Sequence, residues 1–475
     1  MVIPSVLLVA ATVVVAQAAP APSRPHIVFL LADDLGWGDV GFHGSEIKTP
    51  CLDRLAAGGA RLEQFYVQPV CSPTRSSLMT GRYPMRHGLQ TGVVRPWAQY
   101  GLPLEERTLP QALKEAGYAT AICGKWHLGH FEPVYLPTQR GFDRQYGLYN
   151  GMIDYFTHVR DGGHDWHRDD KACYDEGYST HLIAREAVRL VTGHDARRPL
   201  FLYVPFNAVH APLQVPDEYT KPYGHLRPQR RNYAGMVAAM DEAIDQIVAA
   251  LQRKGMMENT LIVFSSDNGG PSPGTVTSNG PFRAGKGTLY EGGVRVAAFA
   301  TWQGKIKPGT VVDEPLHMVD WYPTLLKLAG APLAQKLPLD GKDAWPAIVE
   351  GKRSPHDEIL HNAAPTSGAI RIGDWKLVIN GSRGTAEDPP AAGVAKKEAK
   401  KKAKQRPAKA DPDGRVELFN IARDPYEKSD LSGQLPEKVK ELRARYDALA
   451  RQAIPPKAAP AAPGFRPPKV WGERP

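Results

Sequence analysis

The sequence predicts an α/β protein with a mostly parallel central sheet, and three observations carry that reading. Short apolar runs recur at 26–31, 119–122, 200–204 and 260–264, each continuous enough to be a strand buried on both faces. Helical patterns lie between them. Every run also leads into a polar cluster, and open parallel sheets bind ligands outside the carboxyl ends of their strands.

The elements follow in order. Residues 1–18 form an apolar run closing on Ala16-Gln17-Ala18, which predicts a secretory signal peptide cleaved after Ala18 and export to the periplasm or beyond. A membrane anchor needs about 20 apolar residues, so no membrane span is expected after cleavage. The run 26–31 ends at Asp33-Asp34. Pro73 fits the opening turn of a helix beginning near Cys71. Residues 109–117 predict a helix with Pro110 at its start and Gly117 at its end. The run 119–122 leads into Gly124-Lys125-Trp126-His127, and 200–204 leads to Asn207 and His210. A longer helix is expected over 233–253, with Met236, Met240, Ile244, Ile247 and Leu251 on one face. The run 260–264 opens onto Asp267-Asn268-Gly269-Gly270.

Beyond residue 360 the character changes. Strands are expected at 370–378 and 416–420, flanking a Lys/Ala/Pro-rich insertion at about 381–413. A helix carrying Val439, Leu442 and Leu449 follows. The expected domains are a catalytic domain at 24–360, a small α+β subdomain at 361–451 and a loose tail at 452–475.

Composition limits the function classes. The chain has 475 residues, 42% hydrophobic and 23% charged, with mean hydropathy −0.37, which excludes a polytopic membrane protein and a mostly disordered chain. Its formal charge of +9 invites a nucleic-acid reading until it is located. Lys396, Lys397, Lys400, Lys401, Lys402, Lys404, Arg406 and Lys409, with Glu398 the sole acid among them, carry +7 of it. The remainder is nearly neutral, and no nucleic-acid partner is expected. A polyanion-binding protein using this loop stays open as a non-enzymatic alternative. Four cysteines do not make a disulfide scaffold, though one pair is possible.

Two clusters carry chemistry. Asp33, Asp34, Asp267 and Asn268 offer three carboxylates and an amide carbonyl, hard oxygen donors suited to Ca²⁺ or Mg²⁺ and not to zinc. Either pair alone reads better as turn caps than as metal ligands; both at strand ends favour a metal. The second is Cys71-Ser72-Pro73-Thr74-Arg75-Ser76-Ser77-Leu78-Met79-Thr80-Gly81-Arg82.

That string resembles the sulfatase motif Cys-x-Pro-Ser/Thr-Arg followed by Thr-Gly-Arg, in which a maturation enzyme oxidises the cysteine to formylglycine. The blocks Gly124-Lys125-Trp126-His127-Leu128-Gly129, Leu136-Pro137-Thr138-Gln139-Arg140-Gly141, Val209-His210-Ala211-Pro212 and Gly285-Lys286-Gly287-Thr288 also look like sulfatase blocks in the same order. From about residue 26 to 432 the chain is similar to arylsulfatase B-like (N-acetylgalactosamine-4-sulfatase-like) enzymes.

The resemblance implies an alkaline-phosphatase-like fold and one Ca²⁺ held by Asp33, Asp34, the modified Cys71, Asp267 and Asn268. It implies that Arg75 and Lys125 hold the formylglycine hydrate, that His127 is the base releasing sulfate, and that His210 and Lys286 grip the substrate sulfate. Asp267 is expected to protonate the leaving oxygen. The implied partners are a formylglycine-generating enzyme and a sulfated saccharide, with 4-sulfated N-acetylgalactosamine of chondroitin or dermatan first. Alternatives are an algal sulfated galactan, or a phosphate or phosphonate ester. A cationic cage and a strong nucleophile are what a sulfate ester needs, since charge builds on its non-bridging oxygens. Some relatives carry a serine near the hydrate where this chain reads Gly151-Met152. His87, His130 and His164 read as structural, whereas Asp154, His158, Asp165 and His167 read either as structural or as lining a sugar pocket.

Overall fold

The four apolar runs become neighbouring strands, His26–Ala32, Ala119–Cys123, Leu200–Pro205 and Thr260–Ser266. This computed structural model describes residues 24–381 and 414–473. The expected signal peptide at 1–18 and the insertion from 382 to 413 lie outside the described residues. Across the sheet the order is Thr260–Ser266, His26–Ala32, Leu200–Pro205, Ala119–Cys123 and Arg144–Gly147, all parallel. Ala298–Thr301, Ala60–Leu62 and Thr310–Val312 extend one side, and His167–Arg168 and Lys171–Ala172 the other, giving ten strands.

Strand alternation explains the layers. Val28, Leu30, Leu202, Val204, Ile262 and Phe264 face one core, packed against Met236, Met240 and Ile244 of the Pro228–Arg253 helix. Ile27, Phe29, Leu31, Phe201, Leu261 and Val263 face the other, packed against Leu78 and Met79 of Cys71–Thr80 and Leu325 of Trp321–Leu328. The Pro228–Arg253 helix starts five residues before its apolar pattern because Pro228 is suited to a first turn. Leu109–Glu115 is opened by a capping box between Thr108 and Gln111.

The C-terminal sheet is antiparallel: Glu358–Ala364, Ser367–Ile372, Trp375–Ile379 and Val416–Asn420, covered by Leu442 and Tyr446 of Pro436–Ala450. The single strand expected over 370–378 is a hairpin, because Gly373 turns the chain at φ 55°. The tail is not loose as expected. Lys457 N–H donates to Gly88 O at 2.7 Å, and Trp471 N–H and Nε1–H donate to His164 O and Arg160 O at 2.9 Å each. Pro/Ala-rich composition builds no core of its own, but Trp471, 2% exposed, anchors the segment in someone else's. None of the four cysteines is paired in a disulfide. Among the described residues no helix is long and apolar enough to cross a membrane.

Candidate active site

The carboxyl ends of two adjacent strands deliver the acids, and the end of a third strand, one strand further across the sheet, delivers a lysine and a histidine. Asp33 and Asp34 follow His26–Ala32, Asp267 and Asn268 follow Thr260–Ser266, and Lys125 and His127 follow Ala119–Cys123. Cys71 is the first residue of its helix, beneath which Arg75 lies one turn on. Asp34 and His127 both adopt positive φ, 65° and 60°, which for non-glycine residues marks backbone held by its surroundings.

Cys71 Sγ lies 3.6 Å from Asp33 Oδ1. Lys125 Nζ donates to Asp33 Oδ2 at 2.6 Å. Arg75 donates through Nε and Nη2 to Asp267 Oδ2 at 3.0 and 2.8 Å, and through Nη1 to Lys125 O at 2.9 Å. On the far side Lys286 Nζ donates to Asp34 Oδ2 at 2.9 Å and to His210 Nε2 at 3.1 Å. Asn268 Nδ2 donates to Asp34 Oδ1 at 2.7 Å. These contacts bring together Asp33, Asp34, Cys71, Arg75, Lys125, His210, Asp267, Asn268 and Lys286, whereas the His127 ring is bonded to Val94 O. One role does not suit its geometry: Asp267 Oδ2 is gripped twice by Arg75, so this carboxylate is committed to holding the guanidinium and poorly placed to hand a proton to a leaving group.

Burial governs the electrostatics. Burial, followed by the charge of Asp267, pushes the Asp33 carboxyl up to about 7 against the opposing pull of Lys125 and Arg75. Burial also acts on Asp34, but Lys286 and His210 outweigh it and hold that carboxyl below the usual range. Burial and the neighbouring Lys286 lower His210 to about 4, so its imidazole is neutral. His127 is likewise depressed, by burial first and Lys125 next. Its Nε2–H donates to Val94 O at 3.1 Å, which leaves the lone pair on Nδ1, buried and without a partner among the described residues. In His210 the Nδ1–H donates to Ala211 O at 2.7 Å, so Nε2 is the acceptor for Lys286.

The residues fit a hard divalent cation. Ligand atoms of Asp33, Asp34, Cys71 and His210 all lie within 4.8 Å of one another. Asn268 Oδ1 is buried and unpartnered, an oxygen lacking an electropositive neighbour. His210 Nε2 is occupied by Lys286, so the oxygen set is the better match to Ca²⁺. Three carboxylates (Asp33, Asp34, Asp267) already face three cations (Arg75, Lys125, Lys286), for a formal charge of zero. A divalent ion would leave the nest positive and ready for an anionic ester.

Ser72 escaped the sequence reading. Its Oγ donates to His127 O at 2.8 Å and accepts Val94 N–H at 3.0 Å, so one hydroxyl joins the His127 and Val94 segments. Its only signal is the polar residue following the cysteine. Three of the four sugar-pocket candidates are spent elsewhere, and the fourth, His167, is buried with its Nδ1 3.6 Å from Asp165 Oδ1. Asp165 accepts the backbone N–H groups of Tyr149 and Asn150. Asp154 accepts Phe156 and Thr157 N–H and Gln214 Nε2. His158 donates to Gly177 O and stacks on Trp166, and His167 stacks on Tyr149.

Residues 25–331 match the sulfatase family. The chain is 41% identical over 482 aligned positions to arylsulfatase J of Mus musculus, covering 95% of this chain and 80% of the mouse protein. It is 35% identical to N-acetylgalactosamine-6-sulfatase of Homo sapiens, covering 76% of this chain and 72% of the human one. Among solved structures it resembles Ps i-CgsB in complex with k-i-k-neocarrahexaose, with TM-score 0.78 and 32% identity over 91% of this chain and 94% of the other. The motif around Cys71, the acid and cation nest and these likenesses agree, and the chain belongs to the sulfatase family.

Proposed function

We propose that this protein hydrolyses the sulfate ester of a sulfated saccharide, using a nucleophile made from Cys71 by a formylglycine-generating enzyme. The observation that carries the reading is the placement of Cys71 Sγ 3.6 Å from Asp33 Oδ1, at a nest where Arg75, Lys125 and Lys286 converge. Formylglycine supplies an aldehyde hydrate, one hydroxyl for attack on sulfur and a second whose deprotonation lets sulfate leave. One Ca²⁺, held by Asp33, Asp34, Asp267, Asn268 and an oxygen on residue 71, supplies charge for the sulfate oxygens.

The chain's own residues do the rest. Arg75 and Lys125 fix the orientation of residue 71 and favour its ionised form by their charge. His127 takes a proton at Nδ1, since Val94 O keeps the hydrogen on Nε2. Lys286 and His210 bind the sulfate, and the Lys286 ammonium, whose basicity Asp34 raises against the effect of burial, donates toward the leaving oxygen. The leader at 1–18 supports export to the periplasm or the outside.

Peptide mass spectrometry on active protein should find residue 71 as formylglycine, and Cys71→Ala should abolish turnover. Active enzyme whose Cys71 is wholly a free thiol sinks the mechanism.

For the sugar, 4-sulfated N-acetylgalactosamine at a chain end is the first choice, on the strength of the block around His210. A carrageenan-type galactan is the second reading, favoured by the likeness to a structure holding a neocarrahexaose. Specific activities on 4-sulfated and 6-sulfated N-acetylgalactosamine and on carrageenan oligosaccharides separate them. Preference for either competitor overturns the first choice and leaves the sulfatase reading standing.

A further inference from the structure

With Asp154, His158 and Asp165 committed to their own loop and His167 buried, a sugar beyond the sulfate group must be recognised by other residues. The chain leaving the nucleophile offers them. Val93 packs against Cys71, and Val94 meets both Ser72 and His127. Arg95, Pro96 and Trp97 follow directly. Four residues of extended chain span at most about 14 Å, so Trp97 stands within that distance of the Val93 backbone.

The C-terminal segment comes back to this place. Trp97 Nε1–H donates to Ala459 O at 2.9 Å, and the Phe465 ring stands edge-on to Trp97 at 6.4 Å. Phe465 in turn stacks with Trp471 at 6.4 Å, Trp471 meets His130 at 5.5 Å, and His130 Nε2–H donates to Pro96 O at 3.1 Å. The contacts form a closed circuit from Trp97 through the tail back to Pro96. Trp471 and His130 are buried within it, Trp97 is half-buried, and Phe465 is 39% exposed. The Arg95 guanidinium lies 5.9 Å from the centre of the Trp97 ring.

We propose that Trp97 and Phe465 form a saccharide subsite beside the ester pocket, taking a sugar unit one or two along from the sulfated one. A pyranose has an apolar C–H face that packs on an aromatic ring and a rim of hydroxyls that needs donors and acceptors. Phe465 presents the ring, and Trp97 supports it edge-on. The closed circuit holds these groups rigidly, as a binding surface requires. Continuity with the nucleophile through Val93 and Val94 selects a substrate unit over an unrelated protein partner. The subsite rests on the saccharide reading given above.

The test compares Phe465→Ala and Trp97→Ala with wild type on sulfated chondroitin and carrageenan tetrasaccharides and on 4-nitrophenyl sulfate, with formylglycine content checked in each. The expected result is KM for the preferred tetrasaccharide raised about five- to tenfold with kcat unchanged, and kcat/KM for 4-nitrophenyl sulfate within about twofold of wild type. Phe465→Tyr should restore the tetrasaccharide KM. An unchanged tetrasaccharide KM overturns the subsite alone. Equal losses on both substrate types also overturn it, since they report support of the fold. A wild-type enzyme that cleaves 4-nitrophenyl sulfate but neither tetrasaccharide brings down the saccharide reading and the subsite together.

Discussion

A β-carbon on Gly151 would stand 2.6 Å from Cε1 and 2.7 Å from Nε2 of His127. The backbone at 151 passes directly against the imidazole, whose Nε2–H is already held by Val94 O. The missing serine noted in the sequence is thus no simple deletion of a hydrogen bond. His127 occupies the space that a side chain at 151 would take.

Gly151→Ser is therefore expected to displace His127 and lower kcat by at least about tenfold, with an overpacking cost of about 1–3 kcal/mol in stability. Steady-state kinetics with a check of formylglycine content reads this directly. A Gly151→Ser enzyme as fast as wild type would refute the crowding argument.

Arg75 reaches Asp267 with two nitrogens and Lys125 O with a third, a fork that an ammonium cannot reproduce. Arg75→Lys should keep the charge and still lose about 10²–10³ in kcat, because the positions of Asp267 and Lys125 loosen together. Retention of more than half the wild-type kcat would show that charge alone suffices.

Calcium should be recovered at one ion per chain, and chelation should lower Tm and activity together. At a calcium concentration 100-fold above Kd the ion adds about 2.7 kcal/mol to stability. Asp33→Ala should remove both ion and turnover, as judged by elemental analysis and kinetics. Stoichiometric zinc in native active protein would contradict the oxygen-donor assignment.

Away from the site, His26 accepts the Leu200 N–H on Nδ1 at 3.2 Å and faces the His194 ring at 6.0 Å. Burial, with His194 next, lowers its pKa to about 4, against 6.5 in the unfolded chain. Between those values the unfolded state binds more protons, so this contribution is fully present above about pH 6.5 and is lost as pH falls toward 4. It amounts to about 2 kcal/mol after allowance for partial screening. His26→Asn keeps an acceptor near Nδ1 and should flatten the stability curve over that window in denaturant titrations. A curve as steep as wild type would assign the acid loss to other groups.

The amino-acid sequence by itself determined the sheet and which polar residues stand at its strand ends. Continuous apolar runs such as 26–31 and 260–264 can only be satisfied by burial on both faces, and each run carries its acids immediately after it. The Cys71–Arg82 string is local, so its chemistry is visible without any knowledge of packing. Tertiary structure alone decided the rest. Ser72 on His127 O, Gly151 under the imidazole, and Arg75 closing on Asp267 join residues 55, 24 and 192 positions apart. The loop residues Asp154 and Asp165 carry the composition of a sugar pocket, yet local backbone N–H groups claim their oxygens. The Pro/Ala-rich tail offers almost no pattern, and its place is set by buried Trp471, whose Nε1–H reaches Arg160 O 311 positions earlier. Periodicity and motif record what each segment must bury or react with. Which distant backbone group meets which side chain depends on how the layers close, and no local pattern encodes that.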